Sequence, residues 1–341
     1  MPTRLSLIAI LLFVAGFFLF FSFNQKGAEK DTPVSPPSAN ETTLPVFSTE
    51  PPPPHIESAS GVSFDTLPAI SFFFTPAFIP PILNVYKFAE PPIEREDAQA
   101  MAEKLGFTSS PALFSSPDEK NILVWKDGDK DFTIFSTNGM SEYVSPSQIN
   151  NSLDTIESKQ NAAIIAARFL REKVGLENFY SGAETRVTLY RGVSLDLQET
   201  ASLSEASVFE VSFLGKVESF PLYQQYGNDV QAQVWIERNA SITRASIHYP
   251  PILLSQQPHS TLTFEEAKQK IQGGEGTIVA YGDTGLLDIA PTPTRISFSS
   301  MRVGYLQDKT NYILYPIFVF SGTAFTQEGD QSIMIYLPAT K

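Results

Sequence analysis

Carboxylates at alternate positions mark the stretch whose spacing comes nearest to a metal site: Asp127, Asp129 and Asp131, interleaved with Gly128 and Lys130. A calcium loop begun at Asp127 needs glycine at its sixth position and a bidentate glutamate at its twelfth. Phe132 and Asn138 stand there instead, so Asp127-Gly128 is expected to be the tight turn of a hairpin. The three histidines, His55, His248 and His259, are scattered, and no two have ligand spacing. With no cysteine, the chain cannot form a disulfide, a thiolate zinc site or a thiol nucleophile. Gly273-Gly274-Glu275-Gly276 lacks the Lys-Ser/Thr of a phosphate loop and follows a helix instead of opening one, so it reads as a helix stop. Neither a G-x-S-x-G elbow nor an H-E-x-x-H helix occurs. No catalytic residue, metal ligand or cofactor is assigned, and the expectation is a protein that binds and does not catalyse. The candidate contact residues are Tyr223 and Tyr226, in the polar-aromatic loop Phe220–Gly227 between two strong strands.

Composition narrows the partners. At 341 residues and 42% hydrophobic, the chain can bury a sizeable core. A formal charge of −13 repels phosphate backbones, so neither nucleic acid nor nucleotide is expected.

The elements that would carry these residues follow a recurring order from residue 90 on, a short amphipathic helix stopped by glycine and then several strands. Ala98, Met101, Ala102 and Leu105 share one helix face before Gly106. Ala162, Ile165, Ala166 and Phe169 repeat that spacing before Gly175. Thr263 and Glu266 form a capping box ahead of Ala267 and Ile271, and Gly273 ends the third helix. Period-two alternation predicts strands at Val208–Leu214, Val230–Ile236 and Arg244–Tyr249, with others near 122–126, 132–136, 295–306, 312–321 and 331–337. Pro316 should place its strand at an edge or a bulge. Thr66–Tyr86 is uncharged, but Pro68, Pro76, Pro80 and Pro81 break any helix, leaving strands at 70–74 and 82–88.

Leu5–Phe23 is nineteen residues without a charge, close to the ~20 that cross a bilayer core. It predicts an uncleaved signal anchor in a single-pass protein of the cell membrane, and Arg4 favours an extracytoplasmic C-terminal part. Residues 25–60, with Pro51–Pro54, read as a disordered tether. The expected organisation is α+β: a cytoplasmic tip and transmembrane helix at 1–24, the tether, and tandem helix-plus-antiparallel-sheet units at 61–150, 151–258 and 259–341.

This layout resembles the YycH/YycI-type regulatory proteins and their PepSY-like units, through the anchor, the helix starts Glu96-Asp97-Ala98 and Glu265-Glu266-Ala267, and Gly304-Tyr305 with Tyr315–Phe320. The resemblance implies a bacterial envelope protein held by its N-terminal helix that regulates a protein partner, a sensor kinase or an envelope assembly. An envelope hydrolase with a carboxylate site and a PepSY-like peptidase inhibitor are the alternatives.

Overall fold

Alternation along the strands becomes burial on one face of a sheet. Phe209, Val211 and Phe213 of one strand, Ala232, Val234 and Ile236 of its neighbour, and Ala245 and Ile247 of the next all enter one core. The computed structural model describes residues 44–46, 50–59, 68–115, 121–137, 139–146, 155–176, 184–192, 197–282 and 291–341. Within them lie strands β1 Ala69–Phe72, β2 Ile82–Ala89, β3 Ala112–Phe114, β4 Ile122–Asp127, β5 Lys130–Phe135, β6 Met140–Val144, β7 Thr185–Arg191, β8 Gln198–Glu199 and β9 Val208–Leu214. The chain continues through β10 Lys216–Val217, β11 Phe220–Tyr223, β12 Val230–Glu237, β13 Ile242–His248, β14 Ile252–Ser260, β15 Thr277–Tyr281, β16 Arg295–Asp308, β17 Ile313–Phe325 and β18 Asp330–Pro338. The helices are α1 Arg95–Lys104, α2 Lys159–Phe169 and α3 Phe264–Gln272.

Two nine-stranded, largely antiparallel sheets result. One runs β3-β4-β5-β6-β13-β12-β9-β7-β8, and both α1 and α2 lie on its apolar face. Ala98 and Ala102 of α1 and Ala162 and Ala166 of α2 are small enough to bring each helix close to the sheet, where Trp125, Phe132 and Ile134 fill the space between. Ser158 caps α2 by accepting from the Asn161 N–H, and Gly175 ends its last, π-helical turn at φ 80°. The second sheet runs β10-β11-β16-β17-β18-β15, with β1 on β16 and the pair β2–β14 on β17. Here α3 packs Ala267 and Ile271 against the sheet. Its capping box forms as expected, and the Thr263 groups together with the Lys341 ammonium hold the Glu266 carboxyl down at about 2, Lys341 having the larger effect.

Several expectations are corrected. The fold is α+β, but not a row of tandem PepSY/YycI-like units with one helix each. β6 pairs with β13, so strands that follow α1 and strands that follow α2 build one sheet and one core. Among the described residues no helix is long and apolar enough to cross a membrane. The transmembrane helix of the expected fold, the single-pass cell-membrane location with its extracytoplasmic domain, and the membrane as partner therefore gain no support from the structure, and what stands in their place is an α+β fold of two large sheets. The segment that carried those expectations, Leu5–Phe23, lies outside the described residues. Pro316 sits in the central strand β17, opposite Tyr305 of β16. It is tolerated because it falls where the other neighbour changes from β2, paired at Ile313 and Leu314, to β18, paired from Ile317, so no ladder hydrogen bond is asked of its missing N–H.

The proline-rich stretch ahead of the sheets packs where it is described. Leu44 joins an apolar cluster with Tyr86 and Leu222, and the Gln256 N–H donates to the Pro45 carbonyl (2.9 Å). Pro51 is buried, Ile56 packs with Tyr223, Val279 and Tyr336, and the Ala59 N–H donates to the Ile278 carbonyl (2.8 Å). Residues 50–59 thus form a strap along the β15 side of the second sheet.

Candidate functional site

The strap is held by side chains that read its backbone. The Gln225 amide does so at two points, Oε1 accepting from the Glu57 N–H (2.9 Å) and Nε2 donating to the His55 carbonyl (2.7 Å). An amide that donates and accepts at once matches the alternating groups of an extended chain. The Asp308 carboxylate, 0% exposed, takes the His55 N–H (2.8 Å). The same carboxylate accepts from the N–H groups of Thr310 (3.0 Å) and Asn311 (3.2 Å) and from Asn311 Nδ2 (2.8 Å), which fixes the turn between β16 and β17. A buried carboxylate needs such partners, since leaving it unpaired would cost several kcal/mol.

Beside the strap lies a hollow of about 510 Å³ lined by Gln224, Gln225 and Asn228 from the loop after β11, by Gln307, Lys309 and Thr310 from the end of β16 and the turn that follows, and by Glu57 of the strap. Its size falls in the range of ligand sites. The first wall is a short loop after β11 that supports itself: the Gln224 N–H donates to the Asn228 carbonyl (2.6 Å) and the Val230 N–H to Asn228 Oδ1 (3.0 Å). Gly227 adopts φ 74°, and a side chain there would approach Met334 Sδ to 3.1 Å. The second wall is anchored by Glu90, whose Oε1 accepts from Gln307 Nε2 (3.2 Å) and pairs with the Lys309 ammonium (3.2 Å). Gln224 Nε2 is enclosed and makes no hydrogen bond. The hollow therefore offers amide donors and acceptors, a hydroxyl, one ammonium and one carboxylate.

The sequence candidates are placed differently. Tyr223, 3% exposed, turns into the core with its ring 5.7 Å from that of Tyr336, and burial raises its hydroxyl pKa. Tyr226 lies in the 3-10 turn Gln225–Gly227, and its side chain is outside the described residues. The glutamines beside them, which sequence reasoning passed over, line the hollow. Asp127-Gly128 is the β4–β5 turn, with Gly128 at φ 59°. Gly273 closes α3, although the left-handed residue is Gly274. His55 is in the strap and His259 in β14 opposite Leu83. His248 lies on β13, where burial first and Lys309 second push its pKa down to about 4. Among the described residues no three His, Asp or Glu side chains converge as a metal site would require.

No family model and no curated protein matches this chain. The resemblance to the YycH/YycI group therefore has no match behind it, and the regulatory partner it implied, a sensor kinase or envelope assembly, has no support from the comparisons. What remains is the geometry: an amide-lined hollow next to a segment of extended chain already held by one of its amides.

Proposed function

We propose that the protein is a binding domain whose hollow, between Gln224–Asn228 and Gln307–Thr310, receives an extended peptide laid beside the strap. The observation that carries this is the two-point hydrogen bonding of Gln225 to the backbone of His55 and Glu57. It is the arrangement by which a protein takes an extended chain without regard to most of its side chains. Gln224 and Asn228 bring two more amide side chains to the lining of the hollow. The lining groups hold and orient, and the role proposed for them is recognition and not bond making.

Panning a displayed library of random decapeptides against the full chain tests this. Enriched peptides should bind the parent protein and lose at least tenfold in affinity for the double variant Gln224→Leu, Asn228→Leu. Equal binding to parent and variant, or no enrichment above an unrelated acidic protein, would count against the proposal.

A further inference from the structure

A second surface stands apart from the hollow, where the chain turns between β1 and β2. In the run Phe72-Phe73-Phe74 the outer two rings pack inward against Phe264, with centroid distances of 6.1 and 5.6 Å. Phe73 faces the other way and is 75% exposed, and Phe78 is 83% exposed. Isolated apolar side chains on a surface need no explanation, but both phenylalanines belong to the connection between β1 and β2, and Phe78 has a cavity beside it. Next to them is a cavity of about 520 Å³ walled by Pro76, Ile79, Pro81, Leu262 and Phe264, large enough for a benzyl group. Ala77 and Ile79, the chain neighbours of Phe78, are both part of its rim. Projection and cavity thus belong to the same few residues.

We infer that this patch is the interface of a symmetric dimer, in which Phe78 of each copy enters the cavity of the other. A surface that carries its own complement is what a two-fold interface requires, because each copy presents the same patch. Charge selects the same location. Two chains of formal charge −13 repel each other over most of their surfaces, yet Thr66–Tyr86 contains no charged residue. The one charged residue in the cavity wall, Lys341, is neutralised within its own chain by Glu266 at 2.7 Å. The two exposed rings offer on the order of 300 Å² per copy, well short of the roughly 800 Å² per partner of a stable complex, so the association is a weak one. The dimer therefore forms at high protein concentration and tightens as salt screens the repulsion between the acidic chains.

Sedimentation of the full chain over a wide concentration range, at low and at high salt, tests the inference. The parent should pass from monomer to dimer, at lower concentration in high salt. Phe78→Ser should weaken association at least tenfold with its melting temperature unchanged. Ala77→Glu, which sets two carboxylates face to face across the two-fold axis, should do the same. A parent that stays monomeric at every concentration overturns the proposal. So does association that survives both substitutions, since that would arise from another part of the chain, Leu5–Phe23 included.

Discussion

His248 makes the stability of this fold depend on pH in a way that one substitution isolates. The imidazole is partly buried on β13, and burial together with the nearby Lys309 ammonium lowers its pKa from 6.5 to about 4. In the unfolded chain it takes up a proton below about pH 6.5, whereas in the folded chain it stays neutral until near pH 4. Its contribution is therefore complete above pH 6.5 and lost as pH falls through the interval down to 4. At about 1.4 kcal/mol per pH unit, folding should weaken by about 2 kcal/mol between pH 7.5 and pH 5 on this account alone. Urea denaturation of the parent and of His248→Gln at both values measures it. Carboxylates titrating over the same interval cancel in the comparison, as does any packing cost of glutamine, because both are common to the two measurements being subtracted. The variant should lose about 2 kcal/mol less than the parent on acidification. Equal losses in parent and variant would refute the reasoning, and a larger loss in the variant would mean the sign is wrong.

Other outcomes follow from single sites. Gln231 is 0% exposed at a bulge in β12, and neither atom of its amide has a hydrogen-bond partner, so Gln231→Met should raise stability by about 1 kcal/mol in the same denaturation assay. Gly322→Ala should cost about 3 kcal/mol or more, because the new methyl would lie 2.1 Å from the Ser297 carbonyl oxygen, on a neighbouring backbone that cannot yield. Thr263→Ala removes the capping box of α3 and should lower stability by about 1 kcal/mol, read as an earlier thermal transition. Gln225→Leu should leave the sheets intact while amide hydrogen exchange at Glu57 accelerates at least tenfold, because its N–H loses its acceptor, and exchange at His55, whose N–H stays bonded to Asp308, should change less.

How much of this was visible beforehand depends on whether local chemistry or distant pairing decides an element. The box of Thr263 and Glu266 is complete within four residues, so α3 could be placed from sequence, as could the Asp127-Gly128 turn. Strand β14 could not. Its Gln256-Gln257-Pro258-His259 run is polar and contains proline, and it is extended because Gln256 meets Tyr86 and Pro258 meets Asn84 on β2, far away in the chain. The grouping of helices and strands into sheets was likewise invisible, because the β6–β13 pairing leaves no trace in either strand alone. In the loop after β11 the tyrosines drew attention as contact residues, yet the tertiary fold sends Tyr223 to the core and leaves Gln224 and Gln225 facing the hollow. Glutamine carries no spacing signal of its own, and only the nearness of His55 and Glu57 shows what its amide is for. The long uncharged run near the start invited a membrane assignment through hydropathy alone, a property that says nothing about the sheets that follow.

The pairing of Ala69 with Arg295 at one end of β16 sets an order on biosynthesis. Every strand of the sheet built on α1 and α2 has been synthesised once His248 has been added, so that half can close before the chain is complete. β1 and β2 emerge first of all, yet β1 has no partner until β16 is translated, and the β17 contacts of β2 come later still. During that interval Phe72, Phe73 and Phe74 travel uncovered on a nascent chain, and a chaperone that holds extended aromatic segments would meet them there before the native sheet does.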